Sequence, residues 1–205
     1  MERISSANAS TIAQVNAGAV SHSGPIVPAF VEELVVEDLV LRAPVHEDVP
    51  VLAAAFADPV LGGEAGLPPL SEDELDAVID QLLPQWRASG QLVPYAIADR
   101  TTGELLGGTT LRQLDGTRHS IEIGYWLFER ARGRGVATRS VRALLAWLFA
   151  NGVYRVEAVV RIGNTPSERV LERSGFVREG VKKRYLLYEG ARVDATLFSC
   201  LGDDT

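Results

Sequence analysis

The sequence predicts one α/β (α+β) domain in which helices flank a mixed, mostly antiparallel central sheet of about seven strands. Its elements are expected in the order β-α-α-β-β-β-α-β-α-β-β. Only the segment 119–162 shows the strand–helix–strand pattern of a parallel crossover, and the other neighbours are expected to pair antiparallel. The 205 residues are 46% hydrophobic and contain no internal repeat, so we expect a single core.

The N-terminal residues 1–36 are rich in small and polar side chains and have no uninterrupted hydrophobic stretch. We therefore expect an N-terminal extension without a signal peptide, followed by the folded domain over residues 37–205. The extension could be a loose tail, an arm over the partner subunit of a homodimer, or the result of a start codon placed too early.

The first half of the domain begins with a predicted strand at 37–43, followed by a helix at 45–59. Residues 60–70 contain three glycines and two prolines, which is typical of a loop. A second helix is predicted over 71–89. Ser71 and Glu74 form a capping box at its start, Pro84 should kink it, and Gly90 should end it.

Strands are predicted next, at 91–100, 105–114 and 119–128, and Gly124 in the third indicates a bulge or a close backbone approach. Four further elements are predicted after these strands. They are a helix at 136–152, a strand at 153–162, a short helix at 164–176 and a hairpin over 176–201 that turns at Glu189–Gly190.

Positive charge is concentrated in the segment 129–147, which contains five arginines, although the chain has a net charge of −7. A strand should enter this segment and a helix should leave it. Helix N-termini present unpaired N–H groups and partial positive charge, and Gly133 and Gly135 would let a ligand approach the backbone. With Arg132 and Arg134, these features predict a cradle for a phosphate or pyrophosphate.

Composition excludes several classes of function. The negative net charge argues against nonspecific nucleic-acid binding, and the apolar runs are too short to span a membrane. The single cysteine, Cys200, allows no intrachain disulfide, which favours a reducing cytoplasm. The three histidines lack metal-ligand spacing, so no metal site is expected.

The glycine–arginine segment has two possible parallels among nucleotide-binding motifs, the P-loop and the dinucleotide-binding fold. No GxxxxGK[ST] run occurs, so a P-loop is excluded. A dinucleotide-binding fold is the better rival, because residues 133–138 approximate GxGxxG and Glu157 could bind a ribose. However, Thr138 replaces the last glycine, and the chain after Glu157 continues as a helix and a hairpin instead of further parallel units.

Three segments together resemble the GNAT N-acetyltransferases, and within them the RimJ/RimL-like branch. They read EIGYWLFERARGRGVATRSVRALLAWLF, VYRVEAVVRIGNTPSERVLERSGFVREGV and YEGARVDATLFSCL. The first contains the RxxGxG signature over residues 130–135. The resemblance covers about residues 37–201 in element order and implies acetyl-CoA as the co-substrate.

The resemblance also implies a set of cofactor-binding residues. The pantetheine arm would pair with the strand at Tyr125, Trp126 and Leu127, which parts from strand 154–161 to hold the thioester, and Asn164 would contact the arm. The pyrophosphate would be held by the backbone, with help from the Thr138 hydroxyl. The residues concerned are Arg132, Gly133, Arg134, Gly135, Val136, Ala137 and Thr138.

Transfer of an acyl group to an amine requires a neutral amine, a donor for the oxyanion and a proton for the thiolate. Glu122 is the candidate base, although it could instead orient the substrate ammonium. A backbone N–H freed by a bulge near Gly124 would serve the oxyanion. For the thiolate the resemblance implies Ser167, which could otherwise only support its helix. We expect direct attack in a ternary complex, without an acyl-enzyme.

Alternative functions remain open at this point. A transferase of the same fold could use another acyl or aminoacyl donor, and a noncatalytic protein could bind CoA or another ligand. A dinucleotide oxidoreductase is the remaining rival. The acceptor could be a small amine or a protein N-terminus, and the sequence does not distinguish them.

Overall fold

The computed structural model describes residues 31–59, 61, 69–90, 92–115 and 120–202. Within these ranges eight strands form one sheet in the order β1-β2-β3-β4-β5-β6-β8-β7. Strands β5 and β6 are parallel, and the other recorded pairs are antiparallel. The predicted fold class is confirmed. The strands are β1 Glu33–Val36, β2 Leu39–Arg42, β3 Leu92–Asp99, β4 Leu105–Asp115, β5 Ser120–Leu127, β6 Arg155–Arg161, β7 Val177–Tyr188 and β8 Ala191–Leu201.

The single strand predicted at 37–43 is instead the second half of a hairpin, since β1 and β2 pair across a turn. Glu37 in that turn has a φ of +54°, which is rare for a side chain other than glycine. Arg139 donates to Glu37 at 2.8 Å and also pairs with Asp38. These contacts are distant in sequence, so local periodicity cannot reveal them. The sheet thus begins inside the stretch assigned to the extension.

Helices cover both faces of the sheet. Helices α1 and α2 pack on one face around Phe56, Leu75 and Ala96, and α3 and α4 pack on the other around Leu144 and Leu171. The predicted loop 60–70 lies largely outside the described residues. The helical segments are a 3-10 turn His46–Asp48, α1 Val49–Ala57, α2 (Glu72–Ala77, Val78–Leu82 and Leu83–Ser89), α3 Val136–Ala150 and α4 Thr165–Arg173.

Helix α2 starts and ends as predicted. Ser71 Oγ accepts a hydrogen bond from the Glu74 N–H at 3.3 Å, and the Glu74 carboxylate accepts one from the Ser71 N–H at 2.9 Å. Gly90 ends the helix with a φ of +69°. The irregularity expected from Pro84 is a π-helical turn, in which the Leu83 N–H bonds to the Val78 carbonyl. Pro84 has no N–H for an i→i−4 bond, which accounts for the irregularity at this place.

His46 connects the start of α1 to α2. Its Nδ1 lies 2.5 Å from Asp76 Oδ1, and its Nε2 lies 3.0 Å from Asp80 Oδ1. The hydrogen bond to Asp76 is the main reason that the pKa of His46 is raised above 6.5, and the bond to Asp80 adds to it. Protonated His46 therefore clamps the two helices together.

We expect His46→Gln to lower thermal stability at pH 5.5 and to have little effect at pH 9. The folded-state pKa is raised, so the stabilisation is fully present below pH 6.5 and is lost as the pH rises through the raised value. The measurement is the difference in Tm between wild type and variant across this range. A Tm difference that is the same at pH 5.5 and at pH 9 would contradict the proposed link between the helices through protonated His46.

Candidate active site

Strands β5 and β6 part in the middle of the sheet. In the described residues they pair only over Ser120–Glu122 and Arg155–Glu157. From Ile123 onward β5 keeps its partner β4 but presents its other edge, with its backbone N–H and C=O groups, to the gap. The predicted parting of these strands is confirmed, and it opens a cleft in the sheet just before α3.

The loop over residues 130–135, which we call the glycine–arginine loop, ends at the start of α3. Gly133 and Gly135 both have a φ of +74°, a conformation that strongly favours glycine. In the described part of the chain no side chain caps the helix start. The bond from the Arg139 N–H to the Gly135 carbonyl, at 3.0 Å, begins the helical ladder, so the N–H groups of the first helical turn, from Val136 to Thr138, are available to an anion.

The arginines of this region have different partners. Three of them serve tertiary structure: Arg130 pairs with Glu104 at 2.6 Å, Arg139 holds the β1–β2 turn, and Arg142 donates to the Arg173 carbonyl at the end of α4. Arg132 and Arg134 remain at the loop itself, and Arg132 Nε donates to the Leu127 carbonyl at 3.1 Å. The charge at the helix start is therefore smaller than the sequence suggests.

An open cleft of about 720 Å³ lies beside the glycine–arginine loop. Its described lining combines Phe128 and Leu61 with charged side chains from both sides, among them Asp58 and Arg132. The space is large enough for part of a nucleotide-sized ligand next to the helix start.

Tyr125 and Ser167 come together across the parted strands. The Tyr125 hydroxyl lies 2.9 Å from Ser167 Oγ and 3.0 Å from the Ser167 carbonyl oxygen, to which it donates. Burial raises the pKa of Tyr125 to about 12, so the phenol keeps its proton at neutral pH. Only backbone pairing was expected of Tyr125, and its side chain gives no local signal of this contact.

Asn164 is the N-cap of α4. Its Oδ1 accepts a hydrogen bond from the Ser167 N–H at 3.3 Å, with Pro166 in the first turn as expected. The cap fixes the first turn of α4 and with it the position of the Ser167 hydroxyl at the cleft. Asn164 therefore has a structural role in addition to any contact with a ligand.

Glu122 lies at the point where β5 and β6 part. It pairs with Arg112 of β4, which is directly opposite in the ladder. Its other oxygen, Oε2, is buried and has no hydrogen-bond partner among the described residues. A buried acceptor without a donor costs free energy that a water or substrate donor would recover. The neighbouring Glu157 is instead bonded to Arg155 at 2.8 Å.

Gly124 causes a close approach and not a bulge. The β4–β5 register passes through Gly124 without a shift and pairs it with Thr110. A Cβ at Gly124 would lie 3.1 Å from Thr110 Oγ1, and Thr109 Oγ1 donates to the Gly124 carbonyl at 2.7 Å. The expectation of a bulge is therefore wrong. The β5 edge that β6 leaves unpaired still presents backbone N–H groups to the gap.

Trp126 forms a wall on the α1 and α2 face of the sheet. Its indole lies against Gly108, where a Cβ would come within 2.8 Å of Nε1, and a Cβ at Gly107 would come within 2.3 Å of the Trp126 carbonyl. Phe56 and Phe128 contact the indole edge to face, with ring centroids 5.8 and 5.2 Å away. Only the backbone of Trp126 was expected to take part in the site, so this role of the indole is new.

Two features are absent from the described residues. Among the described residues no group of three or more His, Cys, Asp or Glu could hold a metal ion. No helix in the described ranges is both long and apolar enough to cross a membrane.

An open cleft between parted strands, beside an uncapped helix start, defines the class: an α/β transferase of the acetyltransferase type. Residues 38–177 match the family described as acetyltransferase (GNAT) domain. The chain belongs to this family, and it is an N-acetyltransferase.

Individual relatives agree with this assignment. The chain is 29% identical over 171 residues to the uncharacterized N-acetyltransferase p20 of Bacillus licheniformis, with 83% of this chain and 96% of that protein covered. It is 30% identical over 101 residues to the ribosomal-protein-serine acetyltransferase of Escherichia coli, covering 49% and 56%. Among solved structures, Mycobacterium smegmatis RimJ in complex with CoA-disulfide superimposes with a TM-score of 0.73 at 28% identity, covering 87% and 90%.

Proposed function

We propose that this protein transfers the acetyl group of acetyl-CoA to a primary amine by direct attack in a ternary complex. The observation that carries the proposal is the uncapped start of α3 at Gly135, adjoining the gap between β5 and β6. A diphosphate would satisfy the free N–H groups, and the gap would receive the pantetheine arm. The CoA complex of the related RimJ supports a CoA-type donor.

The cofactor would be held largely by backbone. The N–H groups from Gly133 to Thr138 would face the pyrophosphate, since the Arg132 N–H already donates to the Glu129 carbonyl at 3.0 Å. The Thr138 hydroxyl and the side chains of Arg132 and Arg134 would add donors. The arm would hydrogen-bond to the open edge of β5 at Tyr125, Trp126 and Leu127, as an added strand does, and would pass Asn164. This places the thioester near Gly124.

Glu122 would act on the amine. Its buried Oε2 lacks a partner among the described residues and would accept the proton of the incoming ammonium, directly or through a water. The neutral amine then attacks the thioester carbonyl, and an N–H of the open β5 edge stabilises the oxyanion. Arg112 holds the carboxylate in position through the ion pair.

The Ser167 hydroxyl would give a hydrogen bond or a proton to the departing thiolate. Tyr125, which keeps its own proton because its pKa is about 12, would then donate to Ser167 Oγ in place of the Ser167 carbonyl. The two hydroxyls form a short relay, in which Ser167 would pass to the thiolate the proton that the attacking nitrogen loses as the intermediate collapses, while the hydrogen bond from Tyr125 only orients Ser167 Oγ.

We expect Ser167→Ala to lower kcat about 100-fold, as loss of a general acid does, and Tyr125→Phe to lower it about tenfold, as loss of one hydrogen bond does. KM for acetyl-CoA should change little in either variant. Steady-state kinetics with thiol detection measure both. Tyr154→Phe, a half-exposed tyrosine before β6, is the matched control. An unchanged kcat in both Ser167→Ala and Tyr125→Phe would contradict the proposed relay.

The proposed reaction is tested by thiol release from acetyl-CoA with a panel of primary amines, together with CoA and NAD(P) titrations. Thiol release that depends on the amine supports the transferase. CoA binding without release would favour a ligand-binding role, and release only with longer acyl-CoA would favour another donor. NAD(P) binding without CoA binding would contradict the proposal.

The proposal also includes the setting of the reaction. We assign the residues before β1 to an extension that could be a loose tail or an arm over a second subunit, and light scattering of the full chain tests whether the protein is a homodimer. The single cysteine agrees with a cytoplasmic location. The acceptor is a small amine or a protein N-terminus.

A further inference from the structure

A cavity of about 130 Å³ lies on the face of the sheet covered by α1 and α2. Its described walls are apolar or aromatic on nearly every side. Among those residues are Phe56, Leu75, Ile79, Trp86, Tyr95 and Trp126. An apolar cavity of about 150 Å³ in another protein stays dry and binds benzene, so the volume here suits a phenyl or a branched aliphatic group.

The cavity adjoins the catalytic end of the cleft. Glu122, Gly124 and Trp126 alternate along β5, so they share one face and lie roughly 7 Å apart in succession. Their partners Arg112, Thr110 and Gly108 on β4 share that face, and Thr110 and Trp126 line the cavity. An amine between Glu122 and Gly124 would therefore have the cavity within reach of its substituent.

The proposed cofactor site leaves this cavity unused. The glycine–arginine loop leads into α3, which packs on the opposite face of the sheet. The cavity is bounded by α1, α2 and strands β3 to β5. The cavity and the open cleft beside the loop share no described lining residue, so a group in the cavity would not displace a cofactor in the cleft.

Charge excludes one class of acceptor from the cavity. None of its described lining residues is charged. A second ammonium placed there would lose its hydration without a carboxylate to replace it. The cavity therefore disfavours diamines and polyamines, whereas it would stabilise an apolar group by removing it from water.

We propose that the acceptor is a primary amine that carries an aromatic or branched aliphatic group, and that this group enters the cavity walled by Trp86 and Trp126. The inference rests on the proposed acetyl transfer and identifies its substrate class. Such an amine could be a free small molecule or the N-terminus of a peptide whose first residue is apolar.

The test compares thiol release from acetyl-CoA for 2-phenylethylamine, ethylamine and 1,4-diaminobutane. An apolar pocket gains about 10-fold or more per added methylene, so we expect kcat/KM for 2-phenylethylamine to exceed that for ethylamine at least about 100-fold. The diamine should be no better than ethylamine. A peptide beginning Phe-Gly-Gly and one beginning Ser-Gly-Gly form a second arm, in which the apolar N-terminus should be preferred.

A cavity-filling variant tests whether the preference for apolar amines depends on this cavity. Ile79→Trp, at a half-buried position of the wall, should lower kcat/KM for 2-phenylethylamine at least about tenfold and leave ethylamine nearly unchanged. Val51→Trp on the exposed side of α1 is the matched control and should change neither. Equal losses for both amines in Ile79→Trp would overturn the assignment of the cavity.

A binding measurement separates this inference from the proposed function. Trp86 and Trp126 line the cavity, whereas Trp147 lies on α3. 4-Bromobenzyl alcohol should therefore quench part of the tryptophan fluorescence saturably, and 2-phenylethylamine should compete. Thiol release without an apolar preference, or no saturable quenching, overturns the inference and leaves the transferase intact. Saturable quenching without thiol release from any amine supports the cavity and contradicts the transferase.

Discussion

Gly135→Glu is expected to lower the affinity for CoA at least about 100-fold. Gly135 has a φ of +74°, and a Cβ there would meet nothing within 4 Å, so the new side chain would stand in the space proposed for the diphosphate. The loss of about two charge-assisted hydrogen bonds corresponds to roughly 3–6 kcal/mol, and each 1.4 kcal/mol is about tenfold in affinity. Calorimetric titration with CoA measures the change.

Gly152→Glu is the matched control. Gly152 follows the other end of α3, has a φ of +83° and likewise has open space around its Cβ position. The backbone strain of the two substitutions is therefore similar, but only one adds charge at the helix start. We expect Gly152→Glu to bind CoA as wild type does. Equal affinities of the two glutamate variants for CoA would contradict the proposed phosphate cradle and, with it, the proposed cofactor site.

Glu122→Gln is expected to lower kcat/KM about 100-fold at pH 7, within the range for loss of a general base. Glutamine keeps the shape of the side chain but does not accept a proton from the ammonium. The deficit should shrink as the pH approaches the ordinary amine pKa of about 10, because more of the amine is then neutral in solution. The measurement is the pH–rate profile of both proteins with one amine.

Arg112→Gln controls for loss of the ion pair. Removal of the guanidinium leaves the Glu122 carboxylate in place without the partner that fixes it. We expect a smaller loss, about tenfold or less, with a profile parallel to that of wild type. If the Glu122→Gln profile is also parallel to wild type, Glu122 orients the ammonium and does not take its proton.

Local signals in the sequence predicted much of the fold. The capping box at Ser71, the end of α2 at Gly90 and the turn at Glu189–Gly190 each depend on residues close in sequence, and all three are observed. The parting of β5 from β6 was predicted through the family resemblance. The positive φ of Gly133 and Gly135 agrees with the predicted loop.

Contacts between residues far apart in the sequence leave no local pattern, so they could not be predicted. Arg139 reaches the β1–β2 turn across more than a hundred residues, so a cluster interpreted as one charged surface is in fact divided among several tertiary contacts. Likewise, the link between Tyr125 and Ser167 requires α4 to be placed beside β5. The cavity walls come from helices and strands that only the folded chain assembles.

The glycine at position 108 of β4 has a consequence for how this enzyme could change its acceptor. The indole of Trp126 rests where a side chain at Gly108 would otherwise stand, so the cavity has its outline because one methyl group is missing. Gly108→Ala would place a methyl group against the Trp126 indole and turn this side chain away from the strand. A single nucleotide change could therefore redraw the range of accepted amines while the machinery for acyl transfer stays as it is.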